Sequence, residues 1–278
     1  MNAIQSNELR QEQPSPDNIR ELLQVKPPSD RVDWINALFY GDPGAGKTFL
    51  GGTADDDIRT RPLLVLDIEG GLATIRDRQG VDTVSIRALT KLEETYNKLY
   101  YSIRDNQMYY KTLMIDSLTE LAALDMRVIM QQAYEKNPET VDKDVPSPRE
   151  WGKSREHIRT IVRAFRDLPC NVIFTAHAGY RLEDGQPTKI YPGFSGKLAT
   201  EVPGFMDIVG YLRSVDTMQG GIVTVNRYLQ VEATSRVQAK DRTSRLGQVV
   251  KDPTVPLIWD LIHNTGTTTD NTNNEGTE

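Results

Sequence analysis

The sequence predicts an α/β protein: a mostly parallel central sheet flanked by helices, with an antiparallel C-terminal extension. Three observations carry the prediction. Between Ile35 and His177 short apolar runs alternate with longer amphipathic stretches, the pattern of buried strands joined by crossover helices. The first run, Ile35–Tyr40, leads into Gly41-Asp42-Pro43-Gly44-Ala45-Gly46-Lys47-Thr48, a G-x-x-x-x-G-K-T loop that belongs between a strand and a helix. Beyond Gly179 the style changes. Tyr180–Glu183 and Lys189–Tyr191 flank an Asp-Gly turn, and Gly220-Gly221 introduces a long strand, both signals of hairpins rather than crossovers.

Taken in order, residues 1–30 are polar and carry Pro14, Pro16, Pro27 and Pro28. They are expected to form a flexible arm in which only Ile19–Val25 can make a short docking helix. Residues 31–263 form the folded domain. Strands are expected at Ile35–Tyr40, Pro62–Asp67, Thr83–Ile86, Thr112–Asp116, Asn171–Ala176, Ile208–Leu212 and Ile222–Ala233. Helices are expected at Lys47–Asp55, Leu89–Arg104, Leu118–Glu135 and Glu150–Asp167. In Leu89–Arg104 the apolar positions Leu92, Tyr96, Leu99 and Ile103 fall at i, i+4, i+7 and i+11, one face of a helix. Residues 264–278 are rich in Thr, Asn and Gly without apolar anchors and are expected to be a disordered tail.

Composition narrows the function classes. A net charge of −6 sets the chain apart from dedicated nucleic-acid binders, whose phosphate contacts call for a basic surplus. No apolar run approaches bilayer length and the polar N-terminus lacks a signal-peptide core, so no membrane partner is expected and the cytoplasm is the expected compartment. The single cysteine, Cys170, excludes an internal disulfide and reads as a small core residue.

The chemistry concentrates at strand ends. Glycines in the Gly41–Thr48 loop let backbone N–H groups turn towards a polyphosphate, Lys47 supplies a cation for the outer phosphates, and Thr48 offers a hydroxyl to Mg²⁺. The expected nucleotide contacts are Gly41, Asp42, Pro43, Gly44, Ala45, Gly46, Lys47, Thr48 and Phe49, with ATP and Mg²⁺ as the cofactors. A second acidic strand must complete the metal shell, and Thr112-Leu113-Met114-Ile115-Asp116 ends in a carboxylate suited to it. Hydrolysis needs a group that orients and deprotonates water. Glu69, just past Leu66-Asp67 and before Gly70-Gly71, is the first candidate, with Asp67 as an alternative or a support. The run Asn171–His177 brings Thr175 or His177 to the same edge as a sensor of the terminal phosphate. The basic stretch Arg236–Arg242 reads first as a solvated face; the alternative is a Lys240-x-Arg242 pair that reaches a neighbouring subunit's phosphates.

The ordered set of phosphate loop, Asp-x-Glu-Gly-Gly, Leu-Met-Ile-Asp-Ser-Leu-Thr-Glu-Leu and Asn-Val-Ile-Phe-Thr-Ala-His resembles the RecA-like P-loop ATPase core over residues 33–262. It is most similar to the small phage ATPases of that core that promote single-strand annealing. The resemblance implies Glu69 as catalytic base and a polar sensor at the end of the Cys170–Ala176 strand, where this chain has His177 in place of the usual Gln. It implies that Lys240 and Arg242 act on the ATP of an adjacent protomer in a homo-oligomer. It further implies two DNA-contacting loops, here residues 137–149 and 179–204. The first is acidic (Glu139, Asp142, Asp144); the second carries Lys189, Tyr191, Phe194 and Lys197 for phosphate contact and base stacking. Single-stranded DNA and a single-strand DNA-binding protein are the expected partners. The competing reading is a nucleotide-dependent switch that binds a replication or packaging partner without DNA-stimulated hydrolysis. A small-molecule kinase is disfavoured, since no acceptor domain or Arg-rich lid separates the motifs.

Overall fold

Odd and even positions of the central strands feed two different cores, so the sheet is buried on both faces, as in parallel sheets whose crossover helices cover them. The computed structural model describes residues 20–23, 34–104, 108–183, 186–219 and 222–263. Of the expected N-terminal arm the structure describes residues 20–23, of which 20–22 are helical; the rest of the arm and the 264–278 tail lie outside the described residues.

Among the described residues of the main unit, ten strands form one sheet. They are β1 Asn36–Gly41, β2 Leu63–Asp67, β3 Val81–Ser85, β4 Thr112–Asp116, β5 Asn171–Glu183, β6 Gln186–Pro192, β7 Ile208–Gln219, β8 Ile222–Gln230, β9 Lys240–Asp241 and β10 Val249–Lys251. The order is β10-β8-β7-β1-β5-β4-β2-β3, with β6 on β5 and β9 on β7. Strands β7, β1, β5, β4, β2 and β3 are mutually parallel, while β6, β8, β9 and β10 pair antiparallel. The antiparallel extension therefore begins where the hairpin signals place it. With β5 inserted between the phosphate-loop strand β1 and the acidic strand β4, the arrangement is RecA-like.

The helices are α1 Lys47–Gly52, α2 Leu89–Arg104, α3 Leu118–Lys136, α4 Pro148–Arg166, α5 Leu198–Phe205 and α6 Val255–His263. Leu38, Tyr40, Leu113, Ile115, Val172 and Phe174 face α2 to α5 on one side of the sheet. Ala37, Phe39, Met114 and Ile173 face α1 and α6 on the other. Each leucine, isoleucine, valine, phenylalanine or methionine among them contributes about 1.5–3 kcal/mol by leaving water. Cys170 is buried in the first core, where desolvation pushes its thiol up to about 12.

Several boundaries differ from expectation for local reasons. The helix expected over Lys47–Asp55 tightens after Gly52 into a 3₁₀ turn, Thr53–Asp56. Helix α4 starts at Pro148 rather than Glu150, because Ser147 and Glu150 close a capping box with Pro148 in the first turn. Strands β5 and β7 run past Ala176 and Leu212 into hairpins beyond the sheet edge. The 179–204 segment is not a loop: it holds the end of β5, all of β6 and helix α5.

Candidate functional site

Strand register gathers the expected residues. Gly41 of β1 pairs with His177 of β5, and Asp67 of β2 pairs with Asp116 of β4, so these strand ends lie along one edge of the sheet. At Gly41 an added Cβ would sit 2.3 Å from Leu212 O, so only glycine lets β1 approach β7 while turning into the phosphate loop. The loop closes through Ala45 N to Asp42 O at 3.1 Å and then enters α1, its last glycine, Gly46, at φ +97°.

Lys47 folds back over this loop, donating from Nζ to Gly41 O and to Asp42 O, both at 3.0 Å. Burial lowers its pKa against the opposing pull of Glu69, Asp116 and Asp42. Thr48 Oγ1 donates to Asp116 Oδ2 at 2.6 Å, and Thr175 donates to the other oxygen, Oδ1. Burial raises the Asp116 carboxyl pKa; these two hydroxyls and Lys47 pull it back down. Asp116 is thus an acidic group held dry by two hydroxyls next to an ammonium, a donor set that fits a divalent cation bound to a polyphosphate. Among the described residues no three His, Cys, Asp or Glu side chains cluster to hold a metal by themselves, so the phosphates would have to share its coordination.

Glu69 and Asp67 have different surroundings. Asp67 is buried; its Oδ1 accepts from Gly70 N at 2.6 Å and its Oδ2 lies 3.3 Å from Arg87 Nη2. Arg87 Nη1 also donates to Ile68 O at 2.7 Å, and Glu69 N donates to Asp116 O at 3.1 Å. Asp67 is spent on shaping the turn, and that turn presents Glu69 with its carboxylate half-exposed. Glu69 Oε1 lies 3.5 Å from His177 Nε2, so the two residues assigned separately to water and to the terminal phosphate face each other. His177 N donates to Thr119 Oγ1 at 3.0 Å in the first turn of α3, and His177 O accepts from Gly193 N at 2.7 Å.

Lys240 and Arg242 are not brought to this edge. They flank Asp241, whose partner Ile208 pairs in turn with Ala37 at the start of β1, far from the loop end of that strand. Lys240 Nζ donates to Met206 O at 2.6 Å and Pro203 O at 3.3 Å. Arg242 donates to Gly204 O at 3.1 Å and pairs with Asp207 at 3.0 Å. Both cations cap the C-terminal end of α5 in their own chain. Phe194 is buried among core side chains and offers no stacking face, whereas Trp151 of α4 and Tyr180 of β5 are exposed.

Sequence reasoning missed three residues around the loop: Tyr180, Thr119 and Arg227. Tyr180 OH donates to Asp42 Oδ1 at 2.5 Å, tying the β5–β6 hairpin to the phosphate loop. Arg227 of β8 places Cζ 4.9 Å from the centre of the Phe49 ring. Local turn signals mark the two hairpins, but the continuation of β5 and β7 past the parallel strands, which brings Tyr180 and Arg227 beside the phosphate loop, is set by pairing that no local pattern shows.

The AAA domain family matches residues 35–243. No curated protein matches the chain in sequence. Among solved structures, the chain is similar to the flagellar accessory protein FlaH from Methanocaldococcus jannaschii, at 9% identity and a TM-score of 0.35 over 78% of this chain and 85% of that one. It is also similar to the RadB recombinase, at 12% identity and a TM-score of 0.39 over 84% and 91%. At such TM-scores neither likeness bears on the fold, which rests on the strand order itself. No helix among the described residues is long and apolar enough to cross a membrane. The chain belongs to the AAA-domain family, and its core is that of a RecA-like P-loop ATPase.

Proposed function

We propose that this chain is a Mg²⁺-dependent ATPase that assembles on single-stranded DNA and promotes annealing in recombination. The convergence of three contacts carries the hydrolytic part: Thr48 and Asp116 meet at 2.6 Å, Glu69 and His177 at 3.5 Å, and Lys47 lies over the same loop. In this reading Lys47 exchanges the carbonyls of Gly41 and Asp42 for phosphate oxygens. Thr48 and Asp116 would hold a magnesium ion, which would supply positive charge against that developing on the transferred phosphoryl group. Glu69 takes a proton from water as its oxygen attacks the terminal phosphorus and the bond to the bridging oxygen breaks. His177 donates to a terminal phosphate oxygen and, through Gly193, passes its position to the segment leading into α5.

The DNA part draws on the β5–β6 hairpin. A cavity of about 430 Å³ between β6, α5 and residues 233–238 is lined by Arg181, Lys189 and Arg236 beside Tyr191. That basic lining, on an otherwise acidic chain, suits a phosphate backbone. In this reading Lys240 and Arg242, which sit at the opposite end of β1 from their own phosphate loop, would leave the end of α5 and reach the nucleotide of a neighbour in a homo-oligomer. A single-strand DNA-binding protein is the proposed further partner. The alternative, a switch for a replication or packaging protein, gains from the burial of Phe194 and the acidic 137–149 loop.

Retention of a fluorescent oligonucleotide at low and high salt, with ATP and Mg²⁺, tests the DNA part. Binding that weakens with salt and is lost in Arg181→Ala/Arg236→Ala supports it. No retention at low salt favours the switch.

A further inference from the structure

The β7–β8 hairpin stands past the edge of the parallel sheet. Strand β7 last pairs with β1 at Tyr40 and Tyr211, then continues to Gln219 with β8 as its partner. This puts Arg227, opposite Ser214, beside the phosphate loop rather than beside the sheet. Its backbone is fixed there: Arg227 N donates to Asp252 Oδ1 at 2.9 Å, and Asp252 N donates back to Arg227 O at 2.6 Å.

Its side chain occupies the space that a side chain at Gly46 would fill. A Cβ on Gly46 would lie 2.5 Å from Arg227 Nε and 3.1 Å from Cδ. Gly46 is therefore demanded twice, by its left-handed backbone and by the guanidinium packed against it. The other side of that guanidinium faces Phe49, one residue beyond Thr48. A second arginine, Arg78, also lies over Phe49, at 5.8 Å, but Arg78 is paired with Asp56. Arg227 Nε is buried and has no hydrogen-bond partner among the described residues. A buried N–H of a charged group without an acceptor is unfavourable, and the fork of a guanidinium matches phosphate oxygens.

We propose that Arg227 is a phosphate-binding residue of the nucleotide site, donating from the β7–β8 hairpin to the polyphosphate held by Gly41–Thr48. The assignment rests on the nucleotide-binding reading above and adds a ligand from outside the loop. Its neighbours Gly46 and Phe49 belong to the loop exit and first turn of α1, which cradle the α- and β-phosphates, whereas Glu69 and His177 serve the terminal one. Arg227 thus grips ADP and ATP alike and takes no part in the hydrolytic step.

The test is equilibrium binding of a fluorescent ADP and of ATP, with Mg²⁺, to the full chain and to Arg227→Gln, Arg227→Lys and Arg213→Gln. Arg213 is on the same hairpin but lies over Tyr228 and controls for loss of charge. Expected are a loss of about tenfold or more for both nucleotides in Arg227→Gln, a smaller loss in Arg227→Lys, and no change in Arg213→Gln, with KM raised and kcat kept. The melting temperature of nucleotide-free Arg227→Gln should match or exceed that of the wild type. Wild-type affinity in Arg227→Gln, or a loss of affinity accompanied by a lowered nucleotide-free melting temperature, overturns the proposal. Wild-type protein that binds neither nucleotide overturns instead the nucleotide-binding reading beneath it.

Discussion

Asp116 is the residue on which the site's chemistry and the fold's stability pull in opposite directions. Burial raises its carboxyl pKa, and the hydroxyls of Thr175 and Thr48 only partly oppose this. A carboxyl with a folded pKa above its unfolded one contributes stability below the unfolded value and loses it as pH rises through the folded one. At neutral pH the ionised Asp116 therefore opposes folding until a cation joins it. Asp116→Asn is expected to raise the melting temperature of the nucleotide-free protein at pH 7 by about 3 °C, the worth of ~1 kcal/mol in a chain of this size. The increment should shrink as pH falls below the carboxylate range, and Mg²⁺-dependent hydrolysis should drop to background. A lower melting temperature at pH 7 would count against this account. Glu69 behaves differently, being half-exposed and presented by a turn that Asp67 and Arg87 hold. Glu69→Gln should keep nucleotide affinity and lose hydrolysis by ~10²–10⁴-fold, measured as turnover against equilibrium binding. Equal loss of binding and turnover would make Glu69 a positioning group.

At the scale of elements, what could be read from the chain was what local physics decides. Leu89–Arg104 shows its buried face in its own spacing, and α2 occupies those residues. The strand-then-loop-then-helix pattern around Gly41–Thr48 needed nothing from elsewhere. Helix α5 was not legible, because Pro203 and Gly204 within Leu198–Phe205 look like breakers. Its C-terminal carbonyls are satisfied by Lys240 and Arg242, more than thirty residues on. Helix α6 was hidden in the same way by Pro256, which sits in the first turn where no N–H is required, while Val255 N donates to Thr53 Oγ1 across the fold. The start of α4 is encoded locally in Ser147-Pro148-Arg149-Glu150, although the periodicity alone placed it two residues later, at Glu150. Ser147→Ala should cost about 1 kcal/mol, or about 3 °C in melting temperature, with ATP turnover unchanged. A change in turnover larger than the change in stability would mean that α4 bears directly on the site.

At the scale of the whole molecule, the parallel sheet gathers Gly41, Glu69, Asp116 and His177 at one edge, and the same topology carries Lys240 and Arg242 to the other. Recognising the first set from sequence was a matter of strand ends in a parallel sheet. Placing the second required the β7–β9 pairing, which no single segment encodes. If the ATP site is shared between subunits, mixing inactive Lys47→Ala with inactive Arg242→Ala should restore hydrolysis, because some interfaces join an intact loop to an intact cation pair. Mixtures no more active than their parts would place the complete site in one chain. The central claim, an ATPase that works as an assembly on single-stranded DNA, is tested most directly by the steady-state ATPase rate with and without single-stranded DNA, with particle mass measured in the same samples. The account predicts that DNA raises both the rate and the mass of the wild type, and that Lys47→Ala shows no hydrolysis with or without DNA. A wild-type rate and mass that DNA leaves unchanged would contradict it.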